Sequence, residues 1–492
     1  MPIDSCATKA PASGKSLRIA LREELSMTGA PNGDLWLTSP MGKITFRQVS
    51  PILRQAFDAL TRGTTTQEIT ELVSKQGDPE SLTRLYLHLE QLGKRGLITH
   101  TAVDSGKPLA TITGIGQRYS FKLHDIDVSQ PYQLSRFALW RRQGNKQVLE
   151  SPLGQARIMV HDHRFSALTG ALCNPRSLKD IEDQVPGLSD QAASDCFQLL
   201  LNADALSECR DGSIAEDNNE TLAQWSFHDL LFHSRSRFGR HNDLYGATFR
   251  HIGKIDPRPA VKHPVAGIRI DLYSPDLATL RAGDPPLAQV METRRSVYDY
   301  GTHPISLTEL GEFLFRVARV RETGQMQVRS FYTEAQGTME VSSRPYPAGG
   351  KCYDLEFYVT VDRCDGLPSG LYHYEPAEHC LTQVSGRTEN VEALLKYASV
   401  AAPGGHPQVL ITLASRFQRV SWKYDAIAYA TTLKHVGVVY QTMYLAATAM
   451  GLGPCALGSG DSDLFAAAAG TDYLVESSVG EFMLGSLPGR ND

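Results

Sequence analysis

The first half of the chain repeats itself over a long distance, and that repeat limits the fold more than any other feature. Ser39-Pro40-Met41-Gly42 recurs as Ser151-Pro152-Leu153-Gly154, an offset of 112 positions that also carries Ala59-Leu60 onto Ala171-Leu172, Ile69 onto Ile181 and Val73 onto Val185. Further on the spacing slips by three, so that Leu92 and Leu97 fall on Leu201 and Leu206. One offset shared from Ser39 to Val73 is hard to reach by chance and implies two copies of one unit.

Each copy reads the same way. A strand precedes the Ser-Pro turn, and a helix follows it, over Leu53 to Leu60 or Phe165 to Leu172. Thr65 or Thr66 can cap the next helix in the first copy, and Ser177 in the second. A third helix, Asp78 to Arg95 in the first copy, ends at Gly96, a fitting C-cap. Leu97-Ile98-Thr99 then reads as a wing strand. A strand, two short helices, a longer helix and a wing make a winged helix-turn-helix, so winged-helix-like domains are expected over 1–110 and 111–215.

Winged helices often bind DNA, which requires a basic recognition helix. Here Arg84, Lys94 and Arg95 are offset by Glu80 and Glu90, and the second copy is acidic around Glu182, Asp183, Asp190 and Asp195. With a net charge of −5 and no long Lys/Arg run, nucleic acid is not an expected partner. Peptide binding by strand addition along the wing edge fits better, with a structural or dimerising role as the remaining alternative.

At 492 residues the chain is too long for one ordinary core. The segment 216–284 reads as a linker and substrate-facing stretch. It holds Trp225, Phe227, His228, His233, Arg235, Arg237, Arg240 and His241, then a Pro-rich run from Asp256 to Pro264. His228 and His233 are five apart, off one helical face, so a satisfied polar network or a strip facing a substrate is expected there, and no metal site. The first 30 residues lack an apolar signal region, and Val436 to Leu457 reads as buried rather than membrane-spanning. Eight scattered Cys form no CxxC pair, so the expected compartment is a reducing cytoplasm, with neither zinc nor disulfides needed.

Four features of residues 285–492 carry the chemistry. Arg294-Arg295-Ser296 can hold a phosphate by charge-assisted bonds, although paired arginines are often a solvated face. Arg344-Pro345-Tyr346-Pro347-Ala348-Gly349-Gly350-Lys351 is a glycine turn before a strand, open enough for backbone to approach a flat ligand. Gly370 to Pro376 reads as a strand and turn. Lys423-Tyr424 opens a long helix that runs to Gly451 and into Leu452-Gly453-Pro454-Cys455-Ala456-Leu457-Gly458. Adjacent Lys and Tyr are either a surface pair or a proton-transfer pair.

In order and spacing these elements resemble the nitroreductase-like flavoproteins, and within them the SagB/ThcOx-type azoline oxidases, closest to the cyanobactin oxidases. The Leu149 to Gly154 element and the Gln224 to Arg237 stretch resemble the front region of the same family. The resemblance implies an α+β fold: two winged-helix-like peptide recognition elements, then an FMN-binding oxidase domain over 285–492 that dimerises to enclose two flavins. It implies that Arg294, Arg295 and Ser296 hold the flavin phosphate, with Arg490 as a further contact. Pro347, Ala348, Gly349 and Gly350, from the other subunit, would lie against the ring, and Leu457 and Gly458 would supply backbone contacts. Lys423 and Tyr424 match the family's catalytic pair. The implied substrate is a precursor peptide bearing thiazoline or oxazoline rings, oxidised to azoles by proton loss, hydride transfer to FMN and reoxidation by O2. The implied assembly is a homodimer, without nucleic acid or membrane. Ala348 replaces the family's loop serine, and Lys351, if it faces the flavin, would raise its reduction potential. A nicotinamide-dependent nitroreductase-like enzyme and a non-catalytic scaffold are the alternatives.

Overall fold

The computed structural model describes residues 16–489 apart from 31–32, 40–41, 77–78, 117 and 403. The chain forms two compact units that divide between Asp243 and Leu244.

The first unit contains the repeat as two copies of one helical arrangement. Helices Pro51–Arg62, Thr66–Gln76 and Pro79–Lys94 are matched by His163–Ala171, Leu178–Gln184 and Asp190–Asn202, their starts 112, 112 and 111 positions apart. The second helix of each copy begins with the same reciprocal cap. Thr65 Oγ1 accepts from Glu68 N at 3.1 Å while Glu68 Oε2 accepts from Thr65 N at 2.8 Å. Ser177 forms the equivalent capping box with Asp180. The third helix of the first copy gives way at Gly96, φ 64°, to the strand Ile98–Asp104. Pro40 and Met41 lie outside the described residues.

The wing of the first copy corrects one expectation. Its strands, Ile98–Asp104 and Lys107–Gly114, are interior to a seven-stranded sheet. The former pairs with Arg18–Leu21 and the latter with Ala156–Val160. Strand addition along that wing therefore has no free edge to use. The open edge of five residues in this sheet is Leu139–Gln143.

The aromatic and basic stretch before Asp243 does structural work within this unit. Glu150, 2% exposed, accepts from Arg141 Nε at 2.6 Å, Arg235 Nη2 at 2.9 Å and Arg157 Nη2 at 3.3 Å. Burial opposes its charge, but the three guanidinium groups outweigh that and hold its pKa below the usual carboxylate value. Arg240 donates to the carbonyl of Leu153 at 2.6 Å, so the His-Arg stretch clamps the Ser-Pro-Leu-Gly turn. Arg235 and Arg240 thus take part in a polar network, one of the two readings open for the segment.

The second unit is a seven-stranded antiparallel sheet between helices. Its order is Arg269–Asp271, Cys380–Ser385, Gly370–Glu375, Leu355–Val361, Val409–Arg416, Glu476–Ser486 and Leu452–Leu457. Strand alternation sends Leu355, Phe357 and Val359 to one face, against Phe313 and Leu314 of the helix Leu307–Ala318 and Val439 and Met443 of the helix Ala428–Ala449. Tyr358 and Leu410 face the other way, onto Leu394, Leu395 and Phe465. The segment expected as a linker is divided between the units. Its second part supplies the edge strand Arg269–Asp271 and the short strand Gly246–Ala247. Gly451, φ 68°, ends the long helix, so Val436 to Leu457 is part helix and part strand. Among the described residues no helix is long and apolar enough to cross a membrane.

Glu150→Gln removes the charge that three buried or half-buried guanidinium groups require. It should destabilise the first unit by about 3 kcal/mol, measured by urea unfolding at neutral pH. A change within about 0.5 kcal/mol would show that the cluster is not a stabilising network.

Candidate functional site

Lys423 and Tyr424 do not open the long helix, as the sequence suggested. Tyr424–Asp425 is a short strand paired with Gly246–Ala247, and the helix starts at Ala428. Phe249 N donates to Lys423 O at 3.2 Å, and Arg250 Nε bonds Asp425 at 3.0 Å. A side-chain hydrogen bond from Thr248 to Asp425 completes the clasp. The pair is thus fixed by a chain segment more than 170 positions away.

The Pro347–Gly350 loop lies directly on the pair. Lys423 Nζ donates to Gly350 O at 3.1 Å. A Cβ on Gly350, φ 59°, would stand 2.4 Å from both Lys423 Nζ and Tyr424 Oη. Only glycine fits that approach and that backbone angle. Non-glycine residues with left-handed backbone gather around the same spot: Lys351 (φ 57°), Tyr353 (36°), Ala426 (62°) and Phe249 (52°). Such conformations cost energy and persist where surrounding contacts enforce them.

The enforcing contact was not foreseen from the sequence. Gly349 N donates to His435 Nε2 at 2.7 Å, and His435 Nδ1 bonds Asp354 Oδ1 at 2.5 Å. Because Nε2 is an acceptor, the imidazole is neutral and its proton sits on Nδ1, facing the carboxylate. Asp354 is fully buried and also accepts from Ser415 Oγ at 2.7 Å and Thr432 Oγ1 at 2.8 Å. Burial raises its pKa, but His435, Ser415 and Thr432 together pull it below the usual value.

Behind the pair sits Arg419, 2% exposed. It donates to four backbone carbonyls: Arg258 at 2.7 Å, Cys352 at 2.8 Å, Glu340 at 3.1 Å and Lys351 at 3.5 Å. Burial lowers its pKa to about 10, so it remains a cation near neutrality. Lys423, 6% exposed, has its pKa lowered by burial and further by Arg419. The adjacent Cys352 thiol is pushed up to about 11 by burial, so it is uncharged near neutrality and does not hold the ammonium in place. Tyr424 shifts the other way, raised by burial. One member of the pair loses its proton more readily than a free lysine, and the other keeps its proton more firmly than a free tyrosine.

The remaining predicted residues form a second cluster. Ser296 Oγ lies 2.8 Å from Tyr444 Oη, which accepts from Ala456 N at 2.9 Å. The Arg294 guanidinium stacks 5.2 Å from the Tyr444 ring. Neither Arg294 nor the exposed Arg295 makes an ion pair among the described residues. Leu457 and Gly458 border a cavity of about 330 Å³. His435 of the first cluster and Tyr444 of the second stand on one helix, about 13 Å apart along its axis. Lys351 is exposed, and Arg490 lies outside the described residues.

Comparison with known proteins places this architecture. Residues 14–123 match the ThcOx helix-turn-helix domain, 132–242 the cyanobactin oxidase ThcOx, and 291–486 the nitroreductase family. A nitroreductase-named protein of Methanocaldococcus jannaschii is 30% identical over 196 residues, spanning 39% of this chain and 86% of that protein. The chain belongs to the nitroreductase family and is of its ThcOx, or cyanobactin-oxidase, type. It is an oxidoreductase by that membership. The trifolitoxin-processing protein of Rhizobium leguminosarum is 26% identical over 154 residues, 30% of this chain and 40% of that protein. The E. coli microcin synthetase complex, solved with a truncated precursor bound, contains a chain 18% identical that covers 53% of this one, at a TM-score of 0.32. A likeness at that score carries no argument.

Sequence reasoning singled out Lys423, Tyr424, Gly349 and Gly350 as separate elements, the loop coming from the other subunit, and did not foresee that the loop and the pair touch within one chain. It missed Asp354, His435 and Arg419. The available signal was a single histidine inside an apolar helix, which is ambiguous alone.

Asp354→Asn should destabilise the second unit by at least about 2 kcal/mol at pH 7. Asp354's folded pKa is lowered, so its contribution is present above the unfolded value and lost as pH falls through the folded one. The gap between wild type and variant in urea unfolding should therefore close at acid pH. A gap that is constant with pH would contradict the assigned ionisation.

Proposed function

We propose that this chain is an FMN-dependent oxidase, acting as a homodimer, that converts thiazoline or oxazoline rings of a ribosomally made peptide to azoles. The observation that carries the reading is the Lys423–Tyr424 pair, buried against a glycine loop with its two pKa values displaced in opposite directions.

The residues present fit FMN. Arg294 and Arg295 are cations without ion-pair partners among the described residues, and Ser296 adds a hydroxyl beside them. Together they suit a phosphate dianion. Gly349 and Gly350 offer backbone without side chains, and Leu457-Gly458 borders an open cavity. The two clusters stand apart on the long helix, so closing each flavin between two subunits is the arrangement we favour. When bound, FMN supplies the hydride acceptor, and dioxygen restores it by leaving as hydrogen peroxide.

The protein's own residues do the rest. Lys423 takes the ring proton as general base, a role that burial and Arg419 favour by lowering its pKa. Tyr424 stays a phenol and orients the ring as a hydrogen-bond donor. The buried Arg419 adds positive potential behind the site, which favours negative charge developing in front of it. Asp354 and His435 keep the loop in place.

A peptide substrate is supported by the ThcOx-type front half and by the relative named for trifolitoxin processing. The open edge strand Leu139–Gln143 can pair with an extended peptide. The seven cysteines among the described residues are all free, which fits action in a reducing cytoplasm.

Lys423→Ala and Tyr424→Phe should each bind FMN normally and lose at least about 100-fold in azoline oxidation. Arg295→Ala should weaken FMN about tenfold while leaving riboflavin, which lacks the phosphate, unchanged. Dye-fluorescence titration and single-turnover mass spectrometry read these. Wild-type turnover in both pair variants would remove their assigned roles, and equal loss for both flavins would remove the phosphate assignment.

A further inference from the structure

Beside the Leu457–Gly458 segment lies a buried carboxyl that no cation among the described residues balances. Glu481 stands on the strand Glu476–Ser486, opposite Thr412 on one neighbour and Leu457 on the other. It is 7% exposed and lines the 330 Å³ cavity with Tyr440, Gly458, Gly460 and Ser478. Two glycines let the walls close around it. A Cβ on Gly460 would stand 2.2 Å from Glu481 Oε2, and one on Gly480 would stand 2.5 Å from Tyr440 Oη.

The charges around Glu481 are sparse. Ser478 on its own strand offers a hydrogen bond, and the titratable group of the long helix that shares its cavity is the Tyr440 phenol, itself raised by burial and by Glu481. From the 458–462 segment the cavity is lined by Gly458, Ser459, Gly460 and Ser462, none of them charged, and the segment's one carboxylate, Asp461, is engaged as the cap of the next helix, accepting from Leu464 N at 2.9 Å. The adjacent strands present Thr412 and Leu457, also uncharged. A group in those surroundings resists ionising, and burial pushes its pKa up to about 7.

We infer that Glu481 is a proton-holding wall of the flavin cavity: the ring enters only against the neutral carboxyl, which donates a hydrogen bond to a ring acceptor, so binding above neutral pH takes up one proton. A carboxylate there would be shut from water against carbonyl oxygens of the ligand, with no cation among the described residues to offset it. The inference rests on the FMN reading above.

The test is FMN affinity by fluorescence quenching between about pH 7 and pH 9, where the phosphate is already a dianion. Full-length wild type and Glu481→Gln are compared. Wild-type Kd should rise about tenfold per pH unit, the slope of one linked proton. The variant, a neutral isostere, should bind about as tightly at pH 9 as at pH 7. Lys423 also has a lowered pKa, so the difference between the two proteins is the quantity read. Equal slopes in both, or a flat wild type, overturn the inference while leaving the FMN reading standing. No FMN uptake by either protein at any pH overturns that reading as well.

A ligand-free measurement guards against a folding defect in the variant. Glu481's folded pKa is raised from 4.5, so its stabilising contribution is full below 4.5 and lost as pH rises through about 7. Glu481→Gln should therefore melt higher than wild type at pH 8, relative to the difference at pH 5. No change in that relative difference also overturns the inference.

Discussion

A neutral imidazole held between a buried carboxylate and a backbone amide fixes the catalytic half of the molecule. His435 accepts from Gly349 and donates to Asp354, and through it the glycine loop is tied to the core of the sheet. The loop then sets the position of Gly350 against Lys423, and several neighbouring residues adopt costly backbone angles to allow it. Preorganisation of this kind is what the base proposed at Lys423 would require, since a base displaced by an ångström loses much of its rate advantage. Arg419 ties the same loop from behind, to carbonyls of three separate segments.

Charge is distributed unevenly along the long helix. Near its start stand a buried cation and a lysine of lowered pKa. Further along stand the stacked Arg294, the exposed Arg295 and the cavity beside Glu481. A cofactor with a polar phosphate at one end and a flat ring at the other meets groups of matching chemistry in the second cluster. The first cluster offers proton-transfer groups and bare backbone. That division of labour suits a site assembled from two copies of the chain, each lending a different face. The front unit spends its buried charge differently, on a carboxylate that gathers three arginines just before the repeat's turn.

Much of this was legible in the residues. The repeat offset related the helix starts of the two copies to within one position, because capping residues recur with it: Thr65 with Glu68, Ser177 with Asp180. The α+β arrangement also followed from the family resemblance that motif order carried, whereas the contact of Gly350 with Lys423 and Tyr424 within one chain did not. What was not legible depends on pairing between distant segments. The strand Gly246–Ala247 captures Tyr424–Asp425 and delays the helix, which no local propensity announces. The wing edge is closed by Arg18–Leu21 and Ala156–Val160, partners that only the sheet order reveals. Asp354 and His435 are 81 positions apart and carry no spacing signal. Glu481 reads as an ordinary polar residue in a strand until its neighbours are known.

The central claim is that this nitroreductase-family site removes hydrogen from a peptide ring without a nicotinamide. The most direct measurement is intact-mass spectrometry of a thiazoline-bearing peptide incubated with the FMN-loaded protein in air, with no NADH or NADPH. The account predicts a loss of two hydrogen atoms per ring, with hydrogen peroxide formed in equal amount. An unchanged peptide, together with rapid FMN reduction by NADH and turnover of a small nitro or quinone compound, would contradict it.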